Sequence, residues 1–227
     1  MELVVENGVM AHAHPAACLF DLDGLLLDTE PLHARAWLEA AAHFGRLLSP
    51  AELMALQGRR RLECAAQVCS WIGEVMTPVP SREQLLAVRQ PIAEALLVQA
   101  SAMPGARKLV ARCFELQIPM ALATSSARQA VALKAAPHPW LEMIRTRVHG
   151  DDPELKAGKP APDVFLLAAQ RLGVNPSLCW AFEDSLAGAR SAVAAGCQVI
   201  VVLPSDREPG HYPDQVRCLR SLAEVTF

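Results

Sequence analysis

The chain has 227 residues and a net charge of -3, with 21 Lys and Arg scattered among 24 Asp and Glu, so it offers no basic field for nucleic acid. Its seven cysteines include no Cys-x-x-Cys pair, which argues against a disulfide frame or zinc site and for a reducing compartment, the cytoplasm. The amino terminus carries Glu2 and Glu6 rather than a basic start before an apolar core, and no uninterrupted apolar stretch can cross a bilayer. The expectation is therefore a soluble protein without a membrane partner, and, because a chain of this length buries a core unaided, a monomer.

Residues 1–15, with His12 and His14 in Ala-His-Ala-His-Pro, read as a flexible leader, since two lone histidines seldom hold a metal. The apolar run 17–20 predicts a short strand ending at Asp21-Leu22-Asp23-Gly24. Alternate residues of an extended segment point the same way, so Asp21 and Asp23 face a common ligand, and Gly24 allows a sharp turn beyond them. Two like charges this close call for a hard divalent cation, most economically Mg²⁺, which also recruits phosphate. Asp-x-Asp-Gly alone also fits a turn or the start of a calcium loop, but Leu25, Leu26 and Leu27 stand where such a loop needs oxygen ligands.

From 31 to about 100, apolar residues recur at three and four spacing and predict helices over 32–44, 50–56, 61–71 and 81–98, broken by Gly45, Gly58, Gly73 and the prolines at 78 and 80. The remainder alternates helices over 105–117, 127–134, 163–172 and 185–195 with strands over 120–123, 147–149, 179–182 and 198–203. Pro104 suits a first helical turn, Asp163 an N-cap, and Gly173 and Gly196 the residue just past a helix. The expected architecture is α/β: a Rossmann-like parallel-sheet core of residues 16–30 and 101–227, with an inserted α-helical cap domain over 31–100.

In an open parallel sheet the ligand lies beyond the carboxyl ends of the strands. There the sequence places Asp21 and Asp23, then Thr124-Ser125-Ser126, then Glu183-Asp184. Thr124, Ser125 and Ser126 open a helix and either cap it or hold phosphoryl oxygens; Glu183 and Asp184 are either an acidic turn or the rest of the metal set. Lys159, stiffened in Gly-Lys-Pro-Ala-Pro-Asp, is either solvated or the cation that neutralises these acids and a bound phosphate. Asp151, Asp152 and Glu154 form an acidic loop without an assigned role.

These four stretches, in this order, resemble the haloacid dehalogenase superfamily of phosphotransferases, with Asp21-Leu22-Asp23-Gly24, Thr124, Lys159 and Glu183-Asp184 as its motifs. The resemblance implies that Asp21 attacks phosphorus and becomes an aspartyl phosphate, while Asp23 protonates the leaving oxygen and then deprotonates water. It further implies that Asp21 and Asp184 bind Mg²⁺ directly, Asp23 mainly through its backbone carbonyl, and Glu183 directly or through water. Members that lack the second Asp cleave carbon–halogen or carbon–phosphorus bonds, so Asp23 argues for phosphoester chemistry. His33 falls at a cap-hinge position shared by mutases and phosphatases.

The stretches 21–30, 57–63, 150–154 and 158–160 resemble more particularly the β-phosphoglucomutase and pseudouridine-5′-phosphatase-like branch. In the cap, Gly58, Arg59, Arg60 and Arg61 either face the substrate or form a solvated basic turn. The expected function is Mg²⁺-dependent hydrolysis of a small phosphomonoester, nucleotide-like or sugar phosphate. The rivals are a sugar-phosphate mutase and a non-catalytic module that binds a phosphorylated ligand.

Overall fold

The computed structural model describes residues 4–6, 9–11, 14–56, 61–204 and 208–227. Along the chain come β1 (Val4–Glu6), β2 (Val9–Ala11), β3 (Ala17–Phe20) and β4 (Leu27–Asp28), then the helices α1 (Glu30–His43), α2 (Pro50–Leu56), α3 (Arg61–Ile72) and α4 (Arg82–Leu97). After β5 (Ser101–Ala102) the pattern alternates: α5 (Ala106–Glu115), β6 (Met120–Ala123), α6 (Arg128–Ala135), β7 (Thr146–Val148), α7 (Asp163–Leu172), β8 (Cys179–Glu183), α8 (Leu186–Ala194), β9 (Gln198–Val202) and β10 (Arg217–Leu219). Two compact units result. The core unit runs up to Leu27 and includes Ala102–Val131 and His138–Phe227; the helical unit is Asp28–Ser101 with Ala132–Pro137.

The core sheet has the order β10-β9-β8-β3-β6-β7, with each neighbouring pair parallel. From β3 the chain builds one side through β6 and β7, then crosses to build the other through β8, β9 and β10. That reversal opens a crevice beyond the carboxyl ends of β3, β6 and β8, where an open parallel sheet receives its ligand. The strands are buried on both faces, so β3 and β6 read as unbroken apolar runs, Ala-Cys-Leu-Phe and Met-Ala-Leu-Ala. On one face Leu19, Ala121 and Ala181 pack with Val164, Phe165 and Ala168 of α7 and with Ala189 and Ala192 of α8. On the other, Phe20 stacks on Phe182 with ring centroids 4.9 Å apart. Each such buried phenylalanine contributes about 1.5–3 kcal/mol of burial.

The helical unit has its own core, in which Trp37, Ala40 and Ala41 of α1 meet Cys64, Ala65, Val68 and Ile72 of α3 and Leu85 of α4. Ser81 and Gln84 start α4 with a reciprocal capping box. Among the described residues no helix is long and apolar enough to cross a membrane. All seven cysteines are free thiols.

Within residues 1–15, β1 and β2 pair antiparallel. Local details depart from expectation at the starts of two helices. The N-cap of α7 is Pro162, with Asp163 the first helical residue. Pro104 precedes its helix, because Gly105 caps α5 at φ 85°, a backbone conformation that starts the helix only after the glycine.

Candidate active site

Asp21 extends the ladder of the central strand: its N–H donates to the carbonyl of Phe182 at 3.1 Å, which fixes where the side chain emerges. The residue is buried, and so are Thr124, Lys159, Glu183 and Asp184. Lys159 Nζ donates to Asp21 Oδ1 and to Glu183 Oε1, each at 2.5 Å, and stands 5.2 Å above the ring of Phe165. The other oxygen of Glu183 accepts from the Ser185 hydroxyl at 3.1 Å and from the Asp184 N–H at 3.2 Å. Glu183 lies against α8 only because residue 188 is glycine, where a Cβ would come within 1.9 Å of its carboxylate. Gly24, at φ 79°, makes the turn after Asp23, and a Cβ there would fall 2.2 Å from Asp184 Oδ2. The hydroxyl of Tyr212 donates to the Asp184 carbonyl at 2.6 Å and so pins the main chain behind that carboxylate.

Asp21, Glu183 and Asp184 each present one carboxylate oxygen, all within 4.8 Å of one another. Burial pushes the Asp21 carboxyl up to about 7; Lys159 opposes the rise, and Glu183 and Asp23 add to it. Burial also works against the charge of Lys159, but Asp21 and Glu183 outweigh it and hold the ammonium well above its ordinary pKa. One lysine thus meets two of three clustered buried carboxylates. A hard divalent cation fits this all-oxygen set and would offset the excess negative charge.

Asp23 and the hydroxyl run behave differently from a plain phosphate cradle. The loop 124–127 precedes α6 instead of forming its first turn, because Thr124 Oγ1 accepts from the Ser126 N–H at 3.1 Å and closes a local turn. The N–H of Arg128, the first residue of α6, is taken by Asp151 Oδ1 at 2.8 Å, so the acidic loop caps this helix. Thr124 is buried and Ser125 exposed, while the Ser126 hydroxyl donates to Asp23 Oδ2 at 2.7 Å. Asp152 accepts two hydrogen bonds from Arg171 at 2.7 and 2.8 Å, which gives that loop a structural anchor.

Of the cap residues singled out in the sequence, Gly58, Arg59 and Arg60 lie outside the described residues. Arg61 opens α3 and is exposed, and its Nη1 donates to Gln90 Oε1 at 3.2 Å. Sequence pattern overlooks Arg89 because Val88-Arg89-Gln90 reads as an ordinary solvated face of α4. The residue is only 5 % exposed, and its guanidinium lies 4.1 Å over the ring of Trp37 and donates to His33 Nδ1 at 3.2 Å. An arginine only donates, so His33 carries its proton on Nε2. Burial brings Arg89 down to about 10.

A family model described as haloacid dehalogenase-like hydrolase matches residues 15–196, which include every motif of this site. The chain belongs to that family. Haloacid dehalogenase-like relatives include "Probable pseudouridine-5'-phosphatase" of Drosophila melanogaster, 37% identical over 196 residues that cover 82% of this chain and 80% of that protein. "Hexitol phosphatase A" of Escherichia coli is 34% identical over 216 residues, 92% of either chain. Among solved structures, CbbY from Rhodobacter sphaeroides in complex with phosphate superposes with a TM-score of 0.76 at 29% identity, covering 92% of this chain and 96% of the other. With such relatives the protein is a haloacid dehalogenase-like hydrolase of the phosphatase kind.

Two outcomes follow from the crowding around Glu183 and the burial of Asp21. Gly188→Ala displaces the Glu183 carboxylate, and a titration of activity against Mg²⁺ should need about 10–100-fold more cation for half-activation. The folded-state pKa of Asp21 lies above its unfolded value of 3.8, so between about 4 and 7 the metal-free native protein keeps a proton that the unfolded chain has lost. Raising the pH through that window therefore weakens the native state. Melting curves in chelator should show Tm falling with pH in the parent and a flatter dependence in Asp21→Asn.

Proposed function

We propose that this chain is a Mg²⁺-dependent phosphomonoester hydrolase that acts on a small phosphorylated metabolite, nucleotide-like or sugar phosphate, through an aspartyl phosphate on Asp21. The observation that carries the reading is the position of Asp21: buried at the end of the central strand, bound to Lys159, and clustered with Glu183 and Asp184. Asp21, Glu183 and Asp184 would hold the cation, which when bound supplies positive charge to the phosphoryl oxygens.

The rest falls to the chain's own residues. An oxygen of Asp21 attacks phosphorus in line as the bond to the leaving alkoxide breaks, and Asp23 gives that alkoxide its proton. Asp23 then takes a proton from a water that attacks the same phosphorus; the Asp21–phosphorus bond breaks and inorganic phosphate departs. Lys159 remains cationic throughout and offsets the charge that builds on the phosphoryl group, and the Thr124 hydroxyl binds one of its oxygens. The names of the relatives, a pseudouridine-5'-phosphatase and a hexitol phosphatase, favour a leaving group with several hydroxyls. Specificity is assigned to the helical unit, whose polar groups include Arg61, Arg89 and His33.

The test is a panel of nucleoside, sugar, hexitol, glycerol and flavin monophosphates with Mg²⁺, scored by phosphate release. The account expects release from one class, its loss in Asp21→Asn, and a decrease of about 10²-fold or more in Asp23→Asn. Full activity in Asp21→Asn overturns it; isomer formation stimulated by a sugar bisphosphate would make the protein a mutase.

A further inference from the structure

Ser126 stands in the stretch whose hydroxyls suggest phosphate binding, yet its side chain is turned to another acid. Its hydroxyl donates to Asp23 Oδ2 at 2.7 Å, across 103 positions of sequence. Its own main chain is held on both sides, the N–H by Thr124 Oγ1 at 3.1 Å and the carbonyl by the Gly150 N–H at 2.9 Å. Gly150 reaches this close only because it lacks a side chain, since a Cβ there would lie 2.1 Å from the Ser125 carbonyl oxygen. The loop beyond is tied down in turn. Asp151 accepts from the Arg128 N–H, Asp152 and Glu154 accept from Arg171, and Arg171 Nη1 also donates to the Arg147 carbonyl at 2.9 Å. A continuous set of bonds within the core unit therefore runs from Arg171 on α7 to the carboxylate of Asp23.

We infer that Ser126 is a positioning residue for Asp23, and that the acidic loop 149–154 is the brace that sets it. The inference rests on the reading of Asp23 as the group that moves the proton. An aspartate side chain at a strand end rotates about two bonds, and a proton donor displaced by about 1 Å from its target loses on the order of 10²-fold in rate. A hydroxyl fixed from both sides of its own backbone removes much of that freedom before substrate arrives. The arrangement also assigns Gly150, Asp151 and Asp152 a role that their sequence leaves open: they hold the serine and do not touch the reaction.

The experiment compares the parent with Ser126→Ala, Ser126→Thr, Asp23→Asn and the double variant Asp23→Asn with Ser126→Ala. Each is assayed with Mg²⁺ on glycerol phosphate, ribose phosphate and hexitol phosphate, alkyl esters whose leaving oxygen needs a proton. Ser126→Ala should lower kcat about 10-fold while KM stays within about 2-fold, and Ser126→Thr, which keeps the hydroxyl, should recover most of the loss. In the Asp23→Asn background the alanine should cost nothing further, because the group it positions is already gone. Multiplying losses in the double variant, or a rise in KM for Ser126→Ala at unchanged kcat, would mean that the serine binds the phosphoryl group directly and would overturn the inference. An unimpaired Ser126→Ala overturns it as well, whereas an unimpaired Asp23→Asn overturns the assigned role of Asp23 itself and the inference with it.

Discussion

Burying three clustered carboxylates, two of them bound to one lysine, is the constraint around which the core unit is built. An uncompensated buried charge costs several kcal/mol, so Asp21 and Glu183 persist together because their oxygens are supplied with donors. Lys159 serves two of them at once. Ser185 and the Asp184 amide serve the far side of Glu183. Glycines at 24 and 188 stand where any side chain would collide with Asp184 or Glu183. The same concentration of negative charge that the fold works to accommodate is what a divalent cation would offset in the proposed reaction.

The sheet makes this concentration possible. Three parallel strands deliver their last residues to one crevice, and their apolar runs leave the polar groups nowhere else to go. The stacked pair Phe20 and Phe182 lies one residue before Asp21 and Glu183, so packing directly behind the site holds the two acids in register. The helical unit has a separate core and a buried arginine stacked on Trp37.

Much of this is legible in the sequence because the physics is local. The run Ala17–Phe20 before Asp21, the matching runs before Thr124 and Glu183, and the spacing of helices between them follow from periodicity alone. The short strands β4, β5 and β10 escape because two or three residues carry no period. Side-chain direction escapes for a different reason. Nothing in Thr124-Ser125-Ser126 says that one hydroxyl closes a turn, one is exposed and one meets Asp23, because those choices depend on Gly150 and Asp151 across a strand crossing. Tyr212, the chain's one tyrosine, and Gly188, a glycine inside a helix, are the sequence signals of the contacts made to Asp184 and Glu183.

The central claim is that Asp21 carries the phosphoryl group, and trapping that bond addresses it most directly. Protein mixed with Mg²⁺ and a turned-over phosphomonoester is quenched in acid during steady state, digested, and mapped for a phosphoryl adduct by mass spectrometry. The account predicts an adduct on the peptide that contains Asp21, longer-lived in Asp23→Asn and absent in Asp21→Asn. Phosphate release without any adduct, or an adduct that survives Asp21→Asn, would contradict it.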